Sequence, residues 1–284
     1  MTFRTRFAPS PTGPLHLGHA FSAMLAHDRA RAQNGQFFLR LDDIDQSRAR
    51  SHWAEQIEQD LRWLGVHWDG PVWSQNARAH IYRSHLETLW DMGLLYECTC
   101  TRADIKAAAN APQEGAPLIG PDGVIYPGTC RQIPTGAFPD SAVLRLNMKR
   151  ALARLQLEVI EFTDTGEILS KTSEDMITQI GDVVLARKDM AASYHLSIVV
   201  DDAQQQITHI IRGEDLREAT FIHVLLQKLL GFRTPEYQHH RLIRDDEGRR
   251  LAKRDDARAI SKYRADGYTP DSIRQLLGLP PTTR

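Results

Sequence analysis

Cysteine is scarce in this sequence, with three residues among 284. An odd and small number argues against a disulfide framework in a chain of this length. Long apolar runs are also missing, since no segment approaches the roughly 18 consecutive apolar residues that a membrane helix needs. The first residues have no continuous apolar stretch of the kind that signal peptides carry. These absences predict a soluble, cytoplasmic protein that makes no membrane contact.

An excess of charge of either sign is missing as well. The chain has 35 Lys and Arg residues against 36 Asp and Glu residues, which gives a formal net charge of -1. Composition therefore lacks the strongly basic balance of many nucleic-acid-binding proteins, although a local basic patch remains compatible with it. The remaining composition is ordinary for a globular protein and allows a large core with a second module.

The stretch from Arg6 to His19, with the sequence RFAPSPTGPLHLGH, predicts a strand, a Pro/Gly turn and a helix that begins at Leu15. A helix N-terminus presents unpaired backbone N–H groups and can hold a phosphate. His16 and His19 lie three residues apart, and Gly18 allows a ligand to approach the backbone. The pattern suits nucleotide phosphates. The alternative is an ordinary α/β turn, with two histidines that belong to the surface or the core.

Three acids follow the next predicted strand, which spans Gln36 to Leu41: Asp42, Asp43 and Asp45. Ligands of open parallel sheets bind beyond the carboxyl ends of the strands, so we expect these acids to share a crevice with the two histidines. They could bind an ammonium group. Alternatively, Asp45 with Ser47 caps the helix predicted for residues 49–64 and needs no ligand.

The three cysteines are grouped in the chain. A strand predicted over residues 94–100 places Cys98 and Cys100 on the same side, and Cys130 follows a Pro/Gly-rich loop. Three neighbouring thiolates are compatible with a structural zinc site, for which residue chemistry alone suggests water or a carboxylate as the fourth ligand. The alternative is three small buried residues without a metal.

A further module is predicted from residue 138 to about 188, with strands over residues 142–146, 157–162 and 182–187. Two apolar strands, 194–202 and 207–215, are then expected to end in polar side chains at the mouth of the sheet. These side chains are Asp201, Asp202, Arg212, Glu214 and Asp215. A surface ion pair of Arg212 with one of the acids is the alternative interpretation.

The C-terminal part contains a predicted helix over residues 219–230 and a short helical tail over residues 271–277. Between them lies a basic loop, Arg249 to Arg254, which could follow phosphate charge as it develops or could simply be solvated. We expect only this short helical tail after the loop.

Four of these segments resemble the class I aminoacyl-tRNA synthetases, and in detail their glutamyl branch. His16-Leu17-Gly18-His19 is similar to the HIGH signature of the class, and the preceding RFAPSPTG is similar to the glutamyl branch. The segment Arg40 to Asp45 resembles R-I-E-D-T-D, with Asp42 in place of the usual glutamate. The segment Arg250 to Arg254 resembles KMSKS, with Lys253 kept and Ala252 in place of the serine.

The resemblance implies an α/β fold: a Rossmann-like parallel-sheet catalytic domain, split by an acceptor-type insertion with a zinc site. A short helical C-terminal segment is expected to follow, with no anticodon-binding domain. The expected division is 1–97 for the first half of the catalytic domain, 98–189 for the insertion, 190–240 for the second half, and 241–284 for the KMSKS-like loop and helical tail. The implied reaction is the ATP-dependent activation of L-glutamate and its transfer to tRNA, with Mg²⁺ accompanying ATP.

The resemblance also assigns site residues. The implied catalytic residues are His16, His19 and Lys253, and the implied ATP-binding residues are His16, Gly18, His19 and Lys253. The implied glutamate-binding residues are Arg6, Phe7, Ala8, Pro9, Ser10, Asp42, Tyr194 and Arg212.

A shortened branch of the family carries C-x-C followed by a Y-x-x-x-C pair, and Tyr126 with Cys130 matches that pair. The implied ligands of one structural Zn²⁺ are Cys98, Cys100, Tyr126 and Cys130. That branch glutamylates queuosine in the anticodon of tRNA(Asp), so the expected partners are L-glutamate, ATP and tRNA(Asp) carrying queuosine, with the protein acting as a monomer. The alternatives are the catalytic core of a glutamyl-tRNA(Glu) synthetase and a non-catalytic tRNA-binding paralogue.

Overall fold

The computed structural model of the protein describes residues 2–109, 119–132, 136–244 and 258–281. The strands of these residues are, in chain order, β1 (Arg4–Phe7), β2 (Gln36–Leu41), β3 (Trp73–Ser74), β4 (Leu95–Glu97), β5 (Ile119–Gly120), β6 (Gly123–Val124), β7 (Leu144–Leu146), β8 (Val159–Asp164), β9 (Glu167–Thr172), β10 (Val184–Ala186), β11 (His209–Gly213) and β12 (Glu236–His240).

The α-helices of the same residues are α1 (Leu17–Ala32), α2 (Ser51–Trp63), α3 (Ala79–Asp91), α4 (Arg102–Ala109), α5 (Met148–Leu155), α6 (Ser173–Asp175), α7 (Tyr194–Gln204), α8 (Thr220–Leu229), α9 (Ile260–Ala265) and α10 (Pro270–Leu277). A π-helical turn, Met176–Ile180, follows α6. Among the described helices, none combines the length and the apolarity required to cross a membrane.

The chain forms two compact units. Unit 1 contains residues 1–77, 206–215 and 235–284, and unit 2 contains residues 78–205 and 216–234. Each unit is therefore assembled from segments that are far apart in the sequence.

The sheet of unit 1 is parallel. β1 pairs with β2, and β2 pairs with β3, in both cases in the parallel sense. β11 pairs with β12, also in parallel. Thr208, immediately before β11, accepts a hydrogen bond from the Arg4 backbone N–H at 2.8 Å and donates its own N–H to the Arg4 carbonyl at 2.9 Å. These bonds place the start of β11 beside the start of β1, as the predicted Rossmann-like arrangement requires.

The core of unit 1 lies between this sheet and its helices. The strands contribute Phe37 and Leu39, α1 contributes Met24, α2 contributes Leu61 and α10 contributes Ile273, and each of these side chains is inaccessible to solvent. Burying apolar side chains of this size stabilises the fold by about 1.5–3 kcal/mol each. This packing fixes the positions of the strand ends that carry the candidate site.

Unit 2 has an antiparallel sheet in the order β10, β7, β4, and it also contains an antiparallel hairpin formed by β8 and β9. Asp182 connects several of its elements. One carboxylate oxygen accepts from the Tyr96 hydroxyl at 2.5 Å and from Arg131 at 2.8 Å, while the other accepts from the Met148 N–H at 2.9 Å. Because Asp182 is almost completely buried, these bonds compensate the cost of burying its charge.

Most predicted elements exist with ends shifted by a few residues, and β2 has the predicted bounds. The strand predicted over residues 194–202 is wrong, because Tyr194–Gln204 forms the helix α7. Every residue from His195 to Asp202 is buried, so this part of α7 has no solvent-exposed face whose spacing would reveal a helix. A short apolar run of this kind has no periodicity that separates a buried helix from a buried strand.

The interpretation of Asp45 as the cap of α2 is also wrong. The N-cap position of α2 is Arg50, which makes no side-chain cap hydrogen bond. Asp45 instead accepts from the backbone and hydroxyl of Ser47 and pairs with Arg48. These bonds lower the pKa of Asp45 and stabilise a turn that precedes the helix.

Candidate functional site

The turn between β1 and α1 is attached to the segment that follows β2. The Asp42 backbone N–H donates to the carbonyl of Pro9 at 3.0 Å, and the Arg50 N–H donates to the carbonyl of Pro11 at 3.0 Å. Within the turn, the Thr12 N–H donates to the carbonyl of Ser10 at 2.8 Å. The backbone therefore holds the N-terminal turn and the acid segment together at one edge of the parallel sheet.

His16 and His19 form a capping box at the start of α1. The Gly18 N–H donates to Nδ1 of His16 at 3.1 Å, and the His16 N–H donates to Nδ1 of His19 at 3.2 Å. The two rings lie 3.8 Å apart between centroids. Because each Nδ1 accepts a backbone hydrogen bond, the proton of each neutral ring is on Nε2. The helix N-terminus thus carries two oriented imidazole donors, and α1 begins at Leu17 with His16 as its N-cap.

Gly18 lies directly against the first of these rings. A Cβ atom at position 18 would lie 3.1 Å from both Cε1 and Nδ1 of His16, which is closer than ordinary van der Waals contact. A larger residue would displace the imidazole. In the structure, the glycine is required by the neighbouring His16 ring, a reason that the sequence pattern did not indicate.

Asp42 follows β2 and is buried. Its Oδ1 accepts from Nε of Arg40 at 3.1 Å, and both side chains are almost inaccessible. Asp43 has a different role, because its two oxygens accept from the Ser74 hydroxyl at 2.7 Å and the Asn76 N–H at 2.9 Å. Asp43 therefore fastens the end of β3, while Asp42 remains the candidate ligand-binding acid.

Two guanidinium groups are buried in neighbouring strands of unit 1. Arg6 lies in β1 and Arg212 in β11, with 3% and 5% of their surfaces exposed. Nε of Arg212 donates to Nε2 of His239 at 3.2 Å, and its guanidinium carbon lies 5.3 Å from the centroid of the Tyr237 ring. Both supporting residues are on β12, and His239 lies opposite Arg212 in the strand register. Buried, oriented guanidinium groups are well suited to binding carboxylates.

The remaining predicted glutamate-site residues of the N-terminal stretch differ in exposure. Phe7 belongs to the apolar core, Ala8 is half-buried, Pro9 is buried and Ser10 is exposed. Phe7 packs its side chain away from solvent, so what it offers to a ligand is its backbone.

Tyr194 is the first residue of α7, in unit 2. Its ring makes edge contacts with the rings of His195 and His223, each at a centroid distance of 5.7 Å.

The acids at the other end of α7 are not at the mouth of a sheet, contrary to the prediction. Asp201 is completely buried and accepts from Arg78 and from the Tyr82 hydroxyl, each at 2.8 Å. It stabilises unit 2 and is not positioned as a ligand-binding residue.

The predicted catalytic residue Lys253 and the rest of the KMSKS-like segment, Arg250 to Arg254, lie outside the described residues. The described chain resumes at Arg258, and Ala259 forms a bridge with His16. The Ile260 N–H also donates to the Leu15 carbonyl at 2.8 Å. The residues that follow the basic loop are therefore anchored beside the histidine turn.

Unit 2 contains a cluster of thiol groups from Cys98, Cys100 and Cys130. Their sulfur atoms all lie within 4.8 Å of one another, and the Cys100 and Cys130 sulfurs are 3.4 Å apart. Tetrahedral zinc with Zn–S bonds of 2.3 Å would separate its sulfurs by about 3.8 Å. The Tyr126 hydroxyl lies 3.3 Å from the Cys100 sulfur, which places an oxygen at the same centre. The predicted set of four side chains thus converges and has the size of a zinc site.

The surroundings of Tyr126 suit an oxygen that carries negative charge. Its Oη accepts from the Cys130 N–H at 2.8 Å, and the Arg145 guanidinium carbon lies 4.0 Å from the ring centroid. Without a metal, burial and the hydrogen bonds to the cysteines raise the pKa of Tyr126. The hydrogen bond from Tyr126 lowers the pKa of Cys130 to about 6, which favours the thiolate form that metals bind.

Three supporting residues were missed by the sequence analysis. Arg40 and Asp42 are two residues apart, and the alternation of a strand gave a usable signal that they share a face. His239 and Arg145 lie 27 and 19 positions from the residues that they support, Arg212 and Tyr126, and nothing local in the sequence pointed to them.

The family model of "tRNA synthetases class I (E and Q), catalytic domain" matches residues 2–283. A protein of Rhodobacter capsulatus named glutamyl-Q tRNA(Asp) synthetase is 59% identical over 281 residues, which cover 97% of this chain and 99% of that protein. A protein of Nocardia farcinica with the same name is 40% identical, over 97% of this chain and 85% of that protein.

Among solved structures, the glutamate-tRNA synthetase of Elizabethkingia anophelis is similar with a TM-score of 0.78 and 27% identity. The match covers 98% of this chain and 61% of that one, so the chain spans about three fifths of the solved protein. Methionyl-tRNA synthetase of Mycobacterium tuberculosis is similar in fold, with a TM-score of 0.61 and 10% identity. The family model covers nearly every residue of the chain, which therefore belongs to the class I tRNA synthetases (E and Q) through their catalytic domain.

Proposed function

We propose that the protein activates L-glutamate with ATP and transfers the glutamyl group to queuosine in the anticodon of tRNA(Asp). The observation that carries this proposal is the 59% identity, over nearly the full length of both chains, with a protein named glutamyl-Q tRNA(Asp) synthetase. The geometry of unit 1 supports it, because buried guanidinium groups and two oriented imidazoles occur in the parallel-sheet unit.

In the proposed first step, an oxygen of the glutamate α-carboxylate attacks the α-phosphorus of ATP. A new C–O–P linkage forms, the bond between the α-phosphorus and the oxygen that bridges to the β-phosphorus breaks, and pyrophosphate leaves. In the second step, a hydroxyl of the acceptor attacks the carbonyl carbon of glutamyl-adenylate, loses its proton, and releases AMP. Neither step needs a nucleophile from the protein, so positioning and electrostatic stabilisation supply the catalysis.

Glutamate has two carboxylates and one ammonium group, and unit 1 offers groups of matching charge. Arg6 and Arg212 are proposed to donate hydrogen bonds to the carboxylates of glutamate, because each is buried and its guanidinium group can present two parallel N–H donors. Asp42 is the proposed acceptor for the ammonium group, with Arg40 holding its carboxylate in place. The family resemblance adds Tyr194 and the backbone of Phe7 to Ser10. A neutral glutamine would pair less well with the same arginines.

ATP is the proposed ligand of the α1 N-terminus. The Nε2–H groups of His16 and His19, at the positive end of the α1 dipole, would donate to phosphate oxygens. Lys253, with Mg²⁺ bound to the phosphates, would neutralise charge that develops on pyrophosphate. These residues would stabilise the pentacovalent phosphorus more strongly than ground-state ATP.

The thiol cluster is the proposed site of one structural Zn²⁺, with Cys98, Cys100, Tyr126 and Cys130 as ligands. The sulfur distances and the adjacent Tyr126 oxygen support this assignment. We place the cluster in an acceptor-type insertion over residues 98–189 that divides the catalytic domain, with catalytic segments at 1–97 and 190–240 and the loop and tail at 241–284. The protein is proposed to be a cytoplasmic monomer.

A glutamyl-tRNA(Glu) synthetase core is the second candidate, because the solved glutamate-tRNA synthetase shares the fold over 98% of this chain. The two functions differ only in the acceptor. Both require glutamate-dependent exchange of pyrophosphate with ATP, and we expect this exchange without any tRNA.

The deciding experiment follows labelled glutamate into three purified acceptors: tRNA(Asp) with queuosine, the same tRNA without queuosine, and tRNA(Glu). We expect label only on the first. Label on tRNA(Glu) would establish the second candidate, and an absence of pyrophosphate exchange in the metal-loaded protein would favour a non-catalytic tRNA-binding protein.

A further inference from the structure

A chain of polar side-chain contacts in unit 2 runs from the hairpin of β5 and β6 to the residues around Tyr194. Oδ1 of Asp122, in the turn of the hairpin, lies 3.3 Å from Nε2 of His195. Nδ1 of His195 lies 3.1 Å from Nε2 of His223. Both histidines are buried, whereas the Asp122 side chain is partly exposed. The chain thus joins a surface turn to the interior of unit 2.

The contact with Asp122 favours one arrangement of protons on the two neutral rings. The carboxylate can only accept, so it favours the tautomer of His195 that has its proton on Nε2. Nδ1 of His195 then accepts from the Nε2–H group of His223. A neighbouring carboxylate selects the tautomer and orientation of histidines in this way elsewhere.

Both rings contact the Tyr194 side chain. The Tyr194 ring meets the His195 ring at 64° and the His223 ring at 73°, both at 5.7 Å between centroids. Edge-to-face contacts of this kind depend on the relative tilt of the rings. A rotation of either imidazole would therefore change the orientation that Tyr194 prefers.

The hairpin that carries Asp122 packs closely against its neighbours in unit 2. A Cβ atom at Gly120 would lie 2.5 Å from the carbonyl oxygen of Gln179, in the π-helical turn, so the two backbones are in direct contact. Four residues after Asp122, Tyr126 enters the thiol cluster, where it contacts Cys100. The position of Asp122 is thus set on one side by the π-helical turn and on the other by the cluster.

We propose that Asp122 is a positioning residue for Tyr194, acting through His195 and His223, and that it sets the affinity of the enzyme for glutamate. This inference rests on the proposed function, in which Tyr194 contacts the amino acid. Asp122 touches no substrate in this scheme. Its effect is expected on the KM for glutamate and not on the KM for ATP, since Tyr194 is assigned to the amino acid and neither His16 nor His19 takes part in this chain of contacts.

The kinetic test compares Asp122→Ala, Asp122→Asn and a control, Asp91→Ala, which removes an exposed acid from α3 of the same unit. In pyrophosphate exchange, we expect Asp122→Ala to raise the KM for glutamate about threefold to tenfold, the range expected for the loss of one polar side-chain contact. The asparagine variant keeps an acceptor oxygen and should restore the KM. The control should match the wild-type protein, and an unchanged KM in Asp122→Ala would overturn the proposal.

A second readout needs no substrate. The seven tyrosines can be replaced by 3-fluorotyrosine, and the ¹⁹F resonance of Tyr194 can be assigned with Tyr194→Phe. We expect Asp122→Ala to shift this resonance selectively, with no such shift in Asp122→Asn or Asp91→Ala. Equal shifts of many tyrosines would indicate a general loosening of unit 2 and would overturn the positioning role. If the wild-type protein shows no exchange with glutamate, the proposed function fails, and the fluorine spectrum still decides whether Asp122 orients Tyr194.

Discussion

Arg212 donates from Nε to Nε2 of His239 at 3.2 Å, between residues that lie opposite each other in the parallel strands β11 and β12. Because His239 accepts at Nε2, its own proton is on Nδ1. The histidine therefore holds one edge of the guanidinium, and this bond fixes the plane in which the other N–H groups can meet a carboxylate.

Replacing Arg212 by lysine should remove this arrangement while keeping the charge. Lysine has neither the Nε donor nor the planar fork, so we expect kcat/KM for glutamate to fall at least about 100-fold, as for other lost charge-assisted pairs. Pyrophosphate exchange measures the effect. The matched control is Arg217→Lys, which changes an arginine paired with Asp164 in unit 2. Near-normal exchange in Arg212→Lys would refute the assignment of Arg212 to the glutamate site.

His16 combines a structural role with the proposed catalytic one, and His16→Asn separates them. Asparagine is a strong N-cap residue, so the Gly18 N–H keeps an acceptor and the melting temperature should remain close to that of the wild-type protein. The variant lacks the Nε2–H donor, so kcat of pyrophosphate exchange should fall about 100-fold or more.

His16→Ala should lose both properties, with a destabilisation of about 1 kcal/mol from the missing cap. His52→Asn, at an exposed position of α2, is the matched control and should change neither quantity. Full activity of His16→Asn would mean that His16 serves only as the cap of α1.

Asp60 should make the stability of the protein depend on pH. It is completely buried between α2 and α9, 3.9 Å from Arg264, and burial raises its pKa to about 6. An acid whose pKa is higher in the folded state stabilises the fold below its unfolded pKa, near 4, and this contribution is lost as the pH rises through 6. Asp60→Asn should therefore be more stable than the wild-type protein above pH 6, by up to about 3 kcal/mol, and not at pH 4.

Asp69→Asn should show the opposite pH dependence of stability. For both variants and the wild-type protein, the free energy of unfolding is measured by denaturation over the same range of pH. Burial raises the pKa of Asp69, but hydrogen bonds from Arg31 and from the Phe37 N–H outweigh it, and the net pKa is lowered. This variant should lose stability above pH 4. If the free energy of unfolding changed with pH in the same way in both variants, the environment assigned to Asp60 would be wrong.

Tyr126→Phe tests the unusual ligand of the thiol cluster. Removal of the phenolic oxygen should weaken zinc binding about tenfold to a hundredfold, at least as much as losing a supporting hydrogen bond to a ligand does. Competition with a chromophoric chelator measures the affinity, and thermal unfolding shows the accompanying loss of stability. The control is Tyr96→Phe, which removes a hydroxyl that donates to Asp182 and should leave zinc affinity unchanged. Equal affinity in Tyr126→Phe would indicate water or a carboxylate as the fourth ligand.

Local patterns predicted the elements of unit 1 well. The alternation and apolar content of Gln36 to Leu41 gave β2 with its observed bounds, and the Pro/Gly turn before His16 placed the start of α1 within two residues. These features depend on backbone preferences and on periodicity over a few residues, so they are present in the sequence itself. The convergence of the cysteines was also predicted, although Cys98 and Cys100 follow β4, which ends at Glu97.

The predictions failed where burial was complete. The run from His195 to Asp202 reads equally well as a buried strand or a buried helix, and only the packing of unit 2 selects the helix. Asp201 then serves a structural purpose, because burial forces it to pair with Arg78 and Tyr82.

The sequence by itself determined which chemical groups the protein has: the His16-Leu17-Gly18-His19 turn, the acids after β2, the arginines at positions 6 and 212, and the Cys and Tyr residues of the cluster. Tertiary structure decided how those groups are held. His239 reaches Arg212 through strand pairing, Arg145 reaches Tyr126 through ring packing, and Asp122 reaches His195 through a seated hairpin. Each of these contacts joins residues separated by 19 to 73 positions, and because hydrogen bonds and ring contacts act over a few ångströms, only the folded chain brings such residues within range.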